Sequence, residues 1–190
     1  MKILINLTQI AMVILCSAPL AQAKKLLVDI DLKWKPTSDY TEFKKLEYND
    51  VSTIKIELKD ARSIQPSARV GQNTEDEKDF LPVDTKSNVA DFVNSGITDT
   101  FQKVGIKAVD KGGDYVLSGE IKDFFVAETN TYKGLFKVTK VTLKKAGKVV
   151  WEGTLAGDNS RFGRSYSYDN YMESLSDSVV DACHKLLEND

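Results

Sequence analysis

Three strand-like runs between Tyr115 and Gly157 constrain this chain more than any other feature. Tyr115 to Glu128, Thr131 to Lys145 and Lys148 to Gly157 place apolar and polar residues in alternation, the period of a half-buried strand. Lys145-Ala146-Gly147-Lys148 is a hairpin turn and Glu128-Thr129-Asn130-Thr131 is a second one, so the three runs form a meander. Gly119 marks a bulge site in the first run, and Leu143 breaks the alternation near the end of the second. A sheet built this way has one apolar face, which must be covered.

The cover is supplied by two helical patterns. Val89, Phe92, Val93, Ile97, Phe101 and Val104 recur at spacings of three and four, with Ser87 as the cap and Gly105 as the stop. Tyr171, Leu175, Val179, Ala182 and Leu186 do the same over Asp169 to Leu187, with Asp169 suited to the positive end of the helix. Upstream, Leu26 to Leu32 and Ile54 to Leu58 alternate as strands, residues 33–50 read as an irregular connection, and Ile106 to Val109 is a short strand. Asp60 to Lys86 contains Pro66, Gly71, Pro82 and acidic residues without either periodicity, and reads as one long loop. The expected fold is α+β: a mainly antiparallel sheet with two amphipathic helices on one face.

The first twenty-three residues have a different character. Lys2 precedes an apolar stretch from Ile3 to Leu15, and Ala21-Gln22-Ala23 has the small residues of a signal-peptidase site. The organisation this predicts is a signal peptide over 1–23 and one α+β domain over 24–190, exported to the periplasm. Cys16 offers a second processing route, lipidation and anchoring to the outer membrane, although Leu15 stands where a small residue usually precedes such a cysteine. Membrane association is expected only through that anchor.

Charge and cysteine count exclude several classes. The chain has 26 basic and 28 acidic residues, and removal of residues 1–23 takes away Lys2 alone. The slight acidic balance gives no basis for nucleic-acid binding. Cys183 is the one cysteine outside the leader, so no internal disulfide forms there, and its place beside the apolar stripe of the last helix predicts burial. A single histidine, His184, cannot assemble a histidine and cysteine zinc site. It is expected to face solvent near a helix C-terminus. Glu75-Asp76-Glu77 with Asp79 lacks the alternate ligand spacing of a calcium loop and reads as a solvated acidic turn. The reading is therefore no catalytic residues, no metal, no cofactor and no enzyme activity.

The segment Arg161-Phe162-Gly163-Arg164-Ser165-Tyr166, just before the last helix, is the most specific local feature. Two arginines, an aromatic and a glycine there suit an anionic partner, but the favoured reading is structural, with Gly163 in a tight turn and the arginines paired with Asp158, Asp169 or the acidic loop. Arg161, Phe162, Arg164, Tyr166 and Tyr171 are the candidate binding residues, for an envelope protein or a surface polymer. An alternative is an accessory subunit that binds lipid or glycolipid, which predicts an apolar groove between helices and sheet.

With these residues in place the chain resembles the YajG-like family of bacterial envelope lipoproteins. The resemblance rests on Asp60-Ala61-Arg62, Gly71, the helix Val89–Val104 closed by Gly105-Ile106, the strand Asp114 to Gly119, and Trp151-Glu152-Gly153 through Leu187. It implies an α+β domain facing the periplasm, usually tethered to the outer membrane, with no known enzymatic activity.

Overall fold

The computed structural model describes residues 26–38, 52–75 and 80–188. The leader over 1–23, the start of the processed chain at Lys24, the lipidation candidate Cys16 and the acidic residues Asp76, Glu77 and Asp79 lie outside them. The order is β1 (Leu27–Ile30), β2 (Ile54–Asp60), β3 (Arg69–Asn73), β4 (Leu81–Thr85), α1 (Val89–Lys103), β5 (Ala108–Val109), β6 (Tyr115–Glu128), β7 (Tyr132–Lys145), β8 (Lys148–Arg161) and α2 (Tyr168–Glu188).

The meander forms as its alternation requires: β6, β7 and β8 pair antiparallel throughout. The pairing shifts register between Ser118 and Glu120, which face Thr142 and Thr139, so the extra residue stands in β7 and not at the expected site, Gly119; Lys140 there takes a φ of 53°. Ala146 and Gly147 take φ of 48° and 78°, the two left-handed positions that a tight hairpin of this twist needs. β8 continues to Arg161, four residues past the apolar run that announced it, because β7 offers partners as far as Tyr132.

The rest of the sheet corrects the expectation of a mainly antiparallel arrangement. β2 runs parallel to the first half of β6, from Ile54 opposite Tyr115 to Asp60 opposite Ile121. β3 runs parallel to its last residues, from Gly71 opposite Val126 to Asn73 opposite Glu128. β2 also pairs parallel with β5, and β1 with β4. The sheet is mixed and curled, with β6 as its spine. A parallel neighbour needs a crossover, and α1 provides the one from β2 to β6. Sequence neighbours alone suggest hairpins, so this choice leaves no local trace.

The long loop expected over Asp60 to Lys86 is also corrected, since it holds β3 and β4. These five-residue strands bury only Val70 and Val83 as large apolar side chains, too few to show a period. Their place is fixed by pairing with β6 and with each other, not by their own pattern. Between β2 and β3, the Arg62 guanidinium is buried and grips both oxygens of Asp60 at 2.9 Å, with the carbonyls of Arg69 and Ser67 also at 2.9 Å. Burial alone raises the Asp60 pKa, but the bonds to Arg62 outweigh it and hold the carboxyl below its usual value.

α1 is capped by Asn88, whose side chain accepts from the Asp91 amide. Ser87, the expected cap, accepts instead from the Leu32 amide at 3.0 Å. Val89, Val93, Ile97 and Phe101 are buried as their spacing requires, and Gly105 takes a φ of 93° beyond the helix end. α1 and α2 touch each other, with α1 over β2 and α2 over β7 and β8. Tyr171, Leu175, Val179, Ala182 and Cys183 are wholly inaccessible. The Cys183 thiol is pushed up by burial, which keeps it protonated and inert.

α2 sits unusually close to the sheet. A Cβ at Gly157 would stand 2.2 Å from the Ser178 carbonyl and 2.4 Å from the Ala182 amide, and one at Gly134 would stand 2.5 Å from the Ser174 carbonyl. Ser174, Ser178 and Ala182 recur every four residues, so one ridge of small residues rests on glycine-bearing strands.

Residues 31–38 form an extended strap across the two helices. Every second amide is donated to α2: Lys33 to the Met172 sulfur at 3.4 Å, Lys35 to Ser176 Oγ at 3.0 Å and Thr37 to Asp177 Oδ1 at 2.7 Å. The intervening Trp34 turns the other way. Its ring lies against Gly96 and Phe92 of α1, and its Nε1 donates to Asp99 at 2.9 Å. Asp177 also accepts from the Thr37 hydroxyl and from Ser38, so one buried carboxylate closes the strap. Asp177→Ala should release it at a cost of about 2 kcal/mol. Hydrogen exchange should rise at the Thr37 and Ser38 amides and stay unchanged in β6. Unchanged strap amides would contradict this assignment.

Candidate functional site

A concavity with a largely apolar lining lies at the end of the sheet where β6 and β8 begin and β7 ends. α1 ends at Lys103 and α2 at Glu188, and residues at the C-terminal ends of both helices border this part of the sheet. Leu143 and Trp151 are paired across β7 and β8 at this end. With Leu117 they make the floor of a cavity of about 390 Å³. Leu186 and Leu187 form one wall, Phe101 and Ile106 another, and Ser52 to Ile54 with Lys107 stand at its edge. A volume of this size falls within the roughly 300–1,000 Å³ of small-molecule sites.

The chemistry of this lining is apolar. Leu117 and Phe101 are buried, whereas Trp151 remains 38 % exposed, its ring lying over Gly153. Val149 and Val150 continue the apolar surface outside the mouth at 51 % and 53 % exposure. Polar groups are confined to the margin, where Lys145 Nζ donates to the Tyr115 hydroxyl at 2.8 Å and lies 4.7 Å from its ring centroid. Such a cavity can take an aliphatic chain, with Ser52, Thr53 and Lys107 left at its edge.

The sequence pointed to the opposite end of the molecule, and the structure separates those candidates. Arg161 is half-buried and paired with Glu173 at 2.5 Å, with Asp177 at 4.0 Å. Tyr166 is buried, donates its hydroxyl to the Pro82 carbonyl at 2.6 Å and accepts from the Leu27 amide at 2.9 Å. Tyr171 is wholly inaccessible and donates to Glu128 at 2.7 Å. Tyr166 and Tyr171 are thus buried within the fold, whereas Arg161 keeps part of its side chain at the surface. Phe162, 83 % exposed, and the exposed Arg164 remain at the surface. Glu75 accepts from the Ser165 hydroxyl at 2.5 Å. His184 is half-buried, 3.2 Å from Glu188. Among the described residues no group of three or more histidine, cysteine or acidic side chains is placed to hold a metal.

Glu128 organises that end. It is 2 % exposed and accepts from the Tyr166 amide at 2.8 Å as well as from Tyr171. Tyr132 stands edge-on to Tyr171 at 5.1 Å, donates to the Arg164 carbonyl and accepts from the Ser167 amide. Burial pushes Tyr132 up to about 12, and burial with the Glu128 carboxylate drives Tyr171 higher still; Tyr166 is raised mainly by burial. In the unfolded chain these phenols ionise near the ordinary value of 10.0. Their contribution is therefore full below that pH and is lost as pH rises through the folded values. Alkaline unfolding should begin above about pH 10, and the phenolate absorbance of these tyrosines should appear together with loss of circular dichroism. Phenolate signal from a still-folded chain would contradict the burial argument.

Sequence reasoning expected an apolar groove between helices and sheet under the lipid alternative but named none of its residues, which are scattered from Ser52 to Leu187. One signal was present: Leu143 breaks the alternation of β7, because the bulge at Lys140 shifts the residues beyond it by one.

No protein-family model matches the chain, and no curated protein matches it. Solved structures do. A Xanthomonas campestris protein of the DUF330 family is similar with 13 % identity and a TM-score of 0.50, over 86 % of this chain and 90 % of that one. A candidate lipoprotein from Caulobacter crescentus is similar with 12 % identity and a TM-score of 0.41, over 70 % of this chain and 84 % of that one. At these identities what the chain shares with the DUF330 structure is its fold, two helices on a curled mixed sheet.

Proposed function

We propose that this chain is a non-enzymatic module of the bacterial envelope whose apolar cavity receives the aliphatic part of a lipid or glycolipid. The observation that carries the reading is the cavity itself, walled by Leu117, Leu143, Trp151, Leu186 and Leu187, with its polar groups at the margin only. The groove between helices and sheet is the feature a lipid-handling accessory protein requires. The leader over 1–23, the resemblance to the YajG-like lipoproteins and the absence of a membrane-crossing helix among the described residues support an exported domain, tethered, if at all, through Cys16.

Two experiments test it. Intact mass of the protein expressed with its own leader distinguishes a chain starting at Lys24 from a diacylated one starting at Cys16. For the cavity, titration with a fluorescent fatty acid should be saturable and should shift Trp151 emission to the blue. Ile106→Trp should fill the space and weaken binding about tenfold or more, roughly 1.4 kcal/mol. Binding unaffected by that substitution would sink the lipid reading.

A second reading is favoured by Phe162, which stands almost free of the protein beside Arg164. An envelope protein or acidic polymer docking at this end would use those two side chains. Crosslinking from Phe162 in the intact envelope should then capture one consistent partner, which Phe162→Ser abolishes.

A further inference from the structure

We infer that the occupant of the cavity is a fatty acid, its tail against Leu117, Leu143 and Trp151 and its carboxylate at Lys107. The inference rests on the lipid reading above and narrows it to one chemical class. The lining contains a single charged residue, Lys107, and no acid. Lys107 is exposed, and its carbonyl accepts from the Ile54 amide at 2.9 Å, which fixes its backbone at the cavity edge. Among the described residues no carboxylate pairs with it, whereas Lys55, Lys103, Lys122 and Lys185 each hold one. Gly105 also lines the edge, and a Cβ there would meet no atom within 4 Å. The rim beside Lys107 is therefore open.

The acids next to lining residues are spent or turned away. Asp114 accepts from the Thr53 amide at 2.7 Å and from its hydroxyl at 3.1 Å. Glu188 stands 3.2 Å from His184. Glu152 follows Trp151 in β8, so it lies on the opposite face of the sheet. A helix C-terminus disfavours an anion, and α1 ends here, but its last carbonyls are closed. Thr100 accepts from Val104, Phe101 from Ile106 and Gln102 from Gly105, at 3.2, 2.9 and 3.1 Å. The end of α2 opposes an anion with about half an elementary charge, against the full charge of Lys107.

Two features select a fatty acid among amphiphiles. A volume of about 390 Å³ lies near the lower end of the roughly 300–1,000 Å³ of small-molecule sites, which suits one chain and not two. One lysine is a compact point charge that matches a monoanionic carboxylate. A phosphate calls for further cations or a helix N-terminus, and both helices end here. Lys145, a second cation at the margin, already donates to the Tyr115 hydroxyl at 2.8 Å.

Displacement of a neutral fluorescent probe tests this on the protein as processed in its own host. At neutral pH carboxylate and ammonium are both ionised. Dodecanoate should compete at least about tenfold better than dodecanol, and better than dodecyl phosphate. Added salt should shrink the margin over dodecanol. Lys107→Gln should remove that margin, and Lys107→Glu should turn it in favour of dodecylammonium, both with unchanged circular dichroism. Lys133→Gln, at the far end of β7, should leave it intact. Dodecanol bound as tightly as dodecanoate, a preference that survives Lys107→Glu, or tighter binding of dodecyl phosphate overturns the inference and leaves the lipid reading standing. If neither the probe nor any of the amphiphiles binds, both fall.

Discussion

Gly157→Val should destabilise the domain by about 3 kcal/mol or more, near the upper end of what overpacking costs. The reason is specific to backbone. The atoms that meet a new Cβ at Gly157 are the Ser178 carbonyl, at 2.2 Å, and the Ala182 amide and Cα, at 2.4 and 2.9 Å. No rotamer change relieves a clash with helix backbone, so α2 must lift as a unit. Lifting it uncovers Val138, Leu155, Leu175 and Val179, all essentially inaccessible in the native fold. The control is Ala156→Val, one residue away on the open face and exposed, which should change stability by no more than about 0.5 kcal/mol. Urea unfolding of the two variants decides the matter. Equal midpoints would mean that α2 does not rest on the sheet through Gly157.

Glu128→Ala should cost about 3 kcal/mol for a different reason. The substitution leaves the Tyr166 amide and the Tyr171 hydroxyl buried without an acceptor, and opens space under three packed rings. Desolvating a donor without a partner is the larger part of the penalty, since each was bonded to water in the unfolded chain. Glu128→Gln retains one acceptor oxygen and should cost clearly less. Tyr171→Phe deletes a donor together with its need, and combining it with Glu128→Gln should be less than additive because both act on one bond. Additive losses in that cycle would show that Glu128 and Tyr171 do not interact.

The network around Glu128 shows why spacing alone does not separate candidate binding residues from structural ones. Arg161, Tyr166 and Tyr171 have the composition of an interface, and nothing in their spacing tells whether a carboxylate partner is external. Glu173 and Asp177 lie one and two turns along α2 and are visible as acids, but only the docking of β8 beside α2 brings Arg161 to them. Glu128 is read in the sequence as a turn residue at the end of β6. Its burial depends on α2 folding back over β6 and on the loop before α2 closing across it. Phe162 was legible as an aromatic next to a glycine, and its exposure follows from the turn that redirects the chain from β8 into α2.

Local physics decided much of this protein from the sequence alone. Alternation fixed β6 and β7 nearly to the residue, and the Ala146-Gly147 turn set their connection to β8. The three-and-four spacing fixed both buried helix faces, down to Cys183. These features depend on periods intrinsic to the backbone and on side chains that must leave water. Only the tertiary structure decided the parallel pairing of β2 and β3 along β6, the existence of β3 and β4, the strap over the helices and the cavity at their C-terminal ends. Each of these depends on partners far apart in the chain, where the bonding groups are the same backbone amides and carbonyls in every residue. Such groups carry no sequence signature, so their pairing is settled by which assembly leaves fewest of them buried and unsatisfied.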